Sequence, residues 1–408
     1  MTDTDELLRP FQPLFGKTVM LGVSGGIAAY KAADLASNLV QLGADVHVLM
    51  TSSATSFVAP GTFAALTQNE VHDNVLERWH QGFAGHITLA QTADAFIVAP
   101  ATANTIAHLA LGLAPDILGT TALATSAPLV MAPAMEHAML HHPATQANIE
   151  TLRQRGVLFV GPDQGRLASG EYGDGRLAPV NDLTGAVRKV IGQQGALQHR
   201  RVVVTAGGTH ESLDPVRFIG NGSSGRMGYG ISQALIDAGA HVTLISGPSA
   251  LPMPFGVCAI PVITAAEMND AVQSEIKTAD AIVMTAAVAD FRPAHRSENK
   301  IKKVVGQHAM TLELTRNPDI IAGVADKSLI KIGFAAETND HVANGQSKLE
   351  SKSLHMVVVN DAVETIGSRT SRATVIQRGT DPIALPEMTK ERLAAEIVRR
   401  LGTLLPDR

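Results

Sequence analysis

Residues 17–54 read KTVMLGVSGGIAAYKAADLASNLVQLGADVHVLMTSSA. A short apolar run, a glycine-rich turn, an amphipathic stretch and a second apolar run follow one another, which predicts strand, turn, helix and strand in a parallel sheet. The same order returns in RRVVVTAGGTHESLDPVRF (200–218) and GRMGYGISQALIDAGAHVTLISGPSA (225–250). Two α/β units are therefore expected. TADAFIVAPATA (92–103) and TADAIVMTAAVA (278–289) extend the parallel, each reading as a buried strand that enters a loop of small residues. Between the halves, Leu183–Val190 reads as helix and Gly192–His199 as a polar, glycine-containing break, which places domains over 1–190 and 191–408.

Composition agrees with two globular units. The chain has 408 residues, 45% hydrophobic and 17% charged, and a domain takes roughly 150 residues. The net charge of -5 and a single compact basic stretch, Lys300–Lys303, argue against a nucleic-acid surface and for a local anion. One cysteine, Cys258, excludes a disulfide framework and a thiolate metal cluster and suits a reducing, cytoplasmic setting; it reads as a small core residue. The amino-terminal stretch has acids where a signal peptide has Lys or Arg, and no apolar run reaches the ~18 residues of a membrane span.

In an open parallel sheet, ligands bind beyond the carboxyl ends of the strands, so the loops there hold the chemistry. The turn with Ser24, Gly25 and Gly26 offers backbone N–H groups and a helix start to a phosphate, and Thr51, Ser52 and Ser53 after the second strand add hydroxyls. The turn lacks GxGxxG spacing and the second strand ends without an Asp or Glu for a ribose, which disfavours NAD. Pro100, Ala101, Thr102, Asn104 and Thr105 follow the next apolar run; small residues permit close approach, although Thr102 or Asn104 equally suits a helix N-cap. His72, His80, His137, His141 and His142 are scattered and give no metal-site spacing.

From about Lys17 to Pro179 the chain resembles the flavin-dependent cysteine decarboxylase family. The resemblance rests on GVSGGIAAYK (22–31), His86 in GHITLA (85–90), PATANT (100–105) and PAM (133–135). It implies a flavodoxin-like domain holding FMN, with the phosphate near Ser24, Gly25 and Thr51–Ser53 and the ring near Pro100–Thr105. It also implies that His86 is the catalytic histidine and that RLASGEYGDGR (166–176) is a flap over the site. Two positions depart from the family pattern. Glu136 stands where the family has Asn, and a carboxylate there would face a substrate carboxylate; Ser169 stands where the flap has a proton-donating Cys. Water, Glu171 or Tyr172 are alternative proton sources. These departures also allow a first half that binds flavin but is impaired or regulatory.

The second half carries TAGGTHESLDPVRFIGNGSSGRMG (205–228), whose glycines offer backbone donors to phosphates and acyl oxyanions. AAVADF (286–291), SENKIKK (297–303), NPDII (317–321), GFAAET (333–338) and the pair Lys348 and Lys352, spaced for one helix face, follow in order. From about Arg200 to Leu401 this set resembles phosphopantothenate–cysteine ligases. The resemblance implies Asn221 at the acyl intermediate, Thr285, Ala286, Asp290, Lys300, Pro318, Asp319, Ile320, Ile321, Phe334, Lys348 and Lys352 around CTP, and Mg2+ on the triphosphate. Both resemblances together imply two Rossmann-like domains and the bifunctional enzymes of bacterial coenzyme A biosynthesis. Such an enzyme joins L-cysteine to 4'-phosphopantothenate and then decarboxylates phosphopantothenoylcysteine. They imply a homo-oligomer with a trimeric flavin half and a dimeric ligase half.

Overall fold

The computed structural model describes residues 11–75, 85–302, 308–326, 328–337, 340–361 and 367–406. His80, Lys303 and Thr338 lie outside them. The chain divides into two compact units between Ile191 and Gly192, with Phe11 belonging to the second.

In the first unit, six strands, β1 (Thr18–Val23), β2 (Asp45–Met50), β3 (Val71–His72), β4 (Ala95–Ala101), β5 (Leu129–Pro133) and β6 (Leu158–Phe159), form a parallel sheet in the order 3-2-1-4-5-6. Strand order reverses between β1 and β4, the switch point at which doubly wound sheets open a crevice. β1 and β4 are almost wholly buried, as continuous apolar runs require when helices cover both faces. The helix Tyr30–Gln41 buries Ala32, Leu35, Ala36 and Leu39, the i, i+3, i+4, i+7 stripe of an amphipathic helix. After β6 a hairpin, β7 (Asp163–Arg166) and β8 (Tyr172–Arg176), leads into the helix Val180–Gly192.

The second unit continues with β9 (Arg201–Ala206), the short hairpin β10 (His210–Ser212) and β11 (Phe218–Gly220), β12 (His241–Ser246), β13 (Cys258–Pro261), β14 (Ala281–Met284), β15 (Phe291–Pro293), β16 (Leu314–Arg316), β17 (Ile330–Glu337), β18 (Met356–Asp361), β19 (Thr370–Ser371), β20 (Ala373–Gln377) and β21 (Ile383–Ala384). Its main sheet runs 13-12-9-14-17-18-20-21, with the last two strands antiparallel. The centre, 12-9-14, repeats 2-1-4 of the first unit. Gly192–His199 is packed rather than open: Leu197 is 2% exposed in this unit's core, and Gly195 lies against Ala238.

The two TADA segments acquire a structural reason. Asp94 accepts from the Thr18 N–H at 2.9 Å and pairs with Lys17 at 2.8 Å; Asp280 accepts from the Arg201 N–H at 2.7 Å and pairs with Arg200 at 3.6 Å. Each aspartate thus closes the amino edge of its sheet, opposite the loops that hold the chemistry. Cys258 corrects the expectation of a core residue. It is exposed, because β13 is the edge strand of its sheet.

Candidate functional sites at the carboxyl edges

In the first unit the carboxyl ends of β1, β2 and β4 converge. The buried Ser24 hydroxyl donates to the Pro100 carbonyl at 2.8 Å and accepts from the Thr102 N–H at 3.0 Å, which ties the first turn to the loop after β4. Thr102 N-caps the helix Ala103–Leu111 by accepting from the Thr105 N–H. It holds that helix start beside Ser24, so the capping role and the site coincide. The Thr51 and Ser53 hydroxyls lie 3.1 Å apart after β2, and a Cβ on Gly25 would collide with Ser53. Ser24, Gly25, Thr51, Ser53 and Thr102 therefore form one hydroxyl-lined rim beside a helix N-terminus, a set that fits a phosphate. Ser52 is exposed beside it, and Pro100, Ala101, Asn104 and Thr105 span the adjoining strand end and helix start.

His86 is the half-buried second residue of the helix Gly85–Thr92. Only two residues separate that helix from β4, so it runs back along the sheet and its first turn, with His86, points toward the carboxyl edge.

The stretch 166–176 is the last residue of β7, the hairpin tip and all of β8. The hairpin base rests on the segment after β5: the Met135 N–H donates to the Gly175 carbonyl at 3.0 Å. Gly175 has φ +144, and a Cβ there would collide with the Met135 carbonyl, so the close approach demands glycine. At the tip, the Ser169 hydroxyl donates to one Glu136 carboxylate oxygen at 3.0 Å and the Ser169 N–H to the other at 3.2 Å. The two residues that depart from the family pattern are thus bonded to each other. The Glu136 carboxylate has donors on both oxygens, which answers the repulsion expected from the sequence.

In the second unit, Asn221, Ser223, Ser224, Arg226, Thr285, Asp290 and Lys390 help line a cleft of about 500 Å³. Ala286, Asp290, Pro318, Asp319, Ile320, Ile321, Phe334, Lys348 and Lys352 line a second of about 480 Å³. Ala286, Asp290, Phe334 and Lys348 border both. The Asn221 amide donates to the Val288 carbonyl at 2.9 Å, Thr285 to the Thr205 carbonyl at 2.7 Å, and Lys348 to the Phe334 carbonyl at 2.6 Å. Lys352 is ion-paired with Asp319 at 2.9 Å. Burial works against the Asp319 charge, but Lys352 and the Ala322 N–H outweigh it and hold the carboxyl below its ordinary range. Lys300 is exposed and lines neither cleft.

Two residues acquire roles that the sequence motifs do not assign. Asp214 is buried and accepts from the N–H groups of Val216, Arg217 and Ile301 and from the Arg217 guanidinium. Burial opposes its charge, yet these donors hold it far below the ordinary aspartate range. It fastens the glycine-rich loop to the segment carrying Lys300; the Asp-Pro turn was its sequence signal. Lys390 is buried in the Asn221 cleft, its pKa pushed down by burial and then by Arg226. A lysine beginning the helix Lys390–Leu404 opposes the helix dipole, and that is the signal which could have found it.

Fold and sites define a two-unit α/β enzyme, a flavoprotein-type half followed by a half with a cationic, glycine-lined cleft. Residues 10–192 match the family described as Flavoprotein and residues 197–404 the DNA/pantothenate metabolism flavoprotein C-terminal domain. The coenzyme A biosynthesis bifunctional protein CoaBC of Vibrio vulnificus (strain YJ016) is 43% identical over 399 residues, 97% of this chain and 99% of that protein. That of Bacillus subtilis (strain 168) is 43% identical over 96% of this chain and 98% of its own. The crystal structure of the C-terminal domain of a CoaBC is 36% identical, with TM-score 0.45, over 52% of this chain and 98% of that one. A cysteine-to-serine mutant of a PPC decarboxylase, complexed with pantothenoylaminoethenethiol, is 30% identical, with TM-score 0.39, over 42% of this chain and 96% of that one. The chain belongs to the family of coenzyme A biosynthesis bifunctional proteins CoaBC: it is a bifunctional enzyme, a flavoprotein decarboxylase joined to a ligase.

Proposed function

We propose that the second half joins L-cysteine to 4'-phosphopantothenate with CTP and Mg2+, and that the first half decarboxylates the product with FMN. The match of both halves, in this order, to full-length CoaBC relatives carries the reading. The ligase product is the decarboxylase substrate, which gives one chain a reason to hold both.

In the ligase half the substrate carboxylate is activated as an acyl-cytidylate with release of pyrophosphate, and the cysteine amine then attacks the acyl carbon, forming the amide and expelling CMP. Asn221 holds the acyl group; its amide can donate to a developing oxyanion. Lys348 and Lys352 at the clefts would attract the phosphates, with Lys300 adding positive charge from the exposed segment outside them, and Asp290 would be the carboxylate available to a magnesium ion bound with the triphosphate. The backbone of Pro318–Ile321 and the Phe334 ring flank the base, with Thr285 and Ala286 at the bordering loop.

In the flavin half the rim of Ser24, Gly25 and Thr51–Ser53 holds the phosphate, and Pro100–Thr105 lies along the ring. Bound FMN supplies oxidation of the substrate thiol and return of the electrons after carbon dioxide leaves. His86 holds or moves a proton at the substrate. A serine hydroxyl alone is too weak an acid to replace a thiol. The Glu136 carboxylate, which accepts from the Ser169 hydroxyl, is the group next to the serine that could relay a proton from solvent through that hydroxyl to the substrate, alongside water, Glu171 and Tyr172. Ile27 and Tyr30, 63% and 59% exposed beside the rim, are apolar faces for the subunit contacts of a homo-oligomer. Among the described residues no helix is long and apolar enough to cross a membrane, and we place the enzyme in the cytoplasm.

The test is a reconstitution with 4'-phosphopantothenate, cysteine and either CTP or ATP, following pyrophosphate, carbon dioxide and the final thiol. Equal rates with ATP would refute the CTP assignment, and bound FMN without carbon dioxide release would refute the decarboxylase. For the proton path, Glu136→Gln should still release carbon dioxide but accumulate the unreduced enethiol; normal 4'-phosphopantetheine formation would remove Glu136 from the path.

A further inference from the structure

Three side chains that the reactions above do not use meet beside the hairpin. His137 begins the one-turn helix His137–Leu140 and His141 follows it, so their rings share a face, with centroids 4.3 Å apart. Asp174 arrives from β8. The Nε2 atom of His141 lies 3.3 Å from an Asp174 carboxylate oxygen, and one donor atom from each of the three lies within 4.8 Å of the others.

We propose that His137, His141 and Asp174 bind a divalent transition metal, Zn2+ first among them, and that the ion fastens the Asp163–Arg176 hairpin to the segment after β5. Ligand atoms about 3.4 Å apart surround a tetrahedral zinc with bonds of ~2.0–2.1 Å, so the His141–Asp174 edge already has that spacing. Both histidines are exposed, so nothing packed over them fixes their rings against rotation toward a shared ion. Two imidazoles and one carboxylate suit Zn2+ over Mg2+ or Ca2+, which prefer all-oxygen sets. Gly173 permits the approach, since a Cβ there would lie 3.0 Å from the His137 ring nitrogen. The fourth position opens to solvent.

His137 and His141 stand at H-x3-H, a spacing that zinc sites use, which corrects the expectation that these histidines carry no metal-site pattern; the third ligand comes from a strand 33 residues beyond His141, where no local pattern points to it. Its consequence for turnover rests on the flap reading: the same hairpin carries Ser169 at its tip, so an ion at its base restrains the tip.

The test uses the intact, tag-free holoenzyme titrated calorimetrically with Zn2+, beside His141→Ala, Asp174→Asn and His141→Gln, the last of which keeps a hydrogen-bond partner for Asp174. One Zn2+ per chain should bind the native protein, and each variant should bind it at least ~10-fold more weakly, the smallest loss expected when a metal's surroundings are disturbed. Unchanged stoichiometry and affinity in the variants overturns the site. Amide exchange in 163–176 should slow on adding Zn2+ to the native protein and not to His141→Gln; binding without that slowing overturns the fastening. Zn2+ should also slow carbon dioxide release from supplied phosphopantothenoylcysteine, reversibly on adding EDTA in a Mg2+-free assay, while Zn2+ without EDTA leaves Mg2+-dependent ligation unchanged. Zinc binding in a protein that never releases carbon dioxide would count against the decarboxylase assignment and not against the metal site.

Discussion

The two sheets are joined alike at one edge and differ at the other. At the amino edges, Asp94 and Asp280 make the same bond to the first residues of β1 and β9. At the carboxyl edges, the first unit presents a rim of hydroxyls and small residues around Ser24 and Thr102, while the second presents amides, carboxylates and lysines around Asn221 and Lys348. Shared topology fixes where a site forms, and the loops decide its chemistry.

That separation is open to direct challenge. The largest effect expected is from His86→Asn, which should lower decarboxylation by roughly 10²–10⁴, the usual contribution of a positioned acid or base, with flavin still bound and ligation unchanged; a matching loss of ligation would show that the units are not chemically independent. Next, Asn221→Asp should lower ligation by about 10²–10³, as removal of an oxyanion donor does, with carbon dioxide release from supplied phosphopantothenoylcysteine intact. Gly25→Ala forces a methyl into Ser53, a small-to-large strain of ~1–3 kcal/mol, so flavin should be retained roughly 10- to 100-fold less tightly in dialysis followed by absorbance. Smallest is Asp214→Asn. Asp214 is held below its unfolded value of about 3.9, so its contribution is complete above that pH and fades as pH falls through the lowered folded value. The native second unit should therefore lose stability on acidification below about pH 4, and the variant's denaturation midpoint should be flatter over the same range.

Much of both sites was legible because it is local. Ser24 and Gly25 lie in one turn, Pro100–Thr105 in one strand end and the helix start that follows it, and Pro318–Ile321 in one loop, so quoting the stretch quotes the residues. The resemblance groups Lys300 with the CTP-binding residues as its charge does; in the structure it is exposed and lines neither cleft. Cys258 was assigned to the core by residue type; its exposure follows from an edge position that no short window reveals.

By itself the sequence determined the alternation of strands and helices, the two-unit organisation of its motifs and the chemical character of each loop. These depend on side-chain period and turn residues within a few positions of one another. Only the tertiary structure decided that Glu136 meets Ser169, that Asp214 reaches Ile301, and that Asp174 joins His137 and His141. These partners are separated by tens of residues; in the first unit their contact depends on how the hairpin closes on the segment after β5, and in the second, separately, on how the loop after β10 meets the segment carrying Ile301, matters of packing that no local pattern encodes.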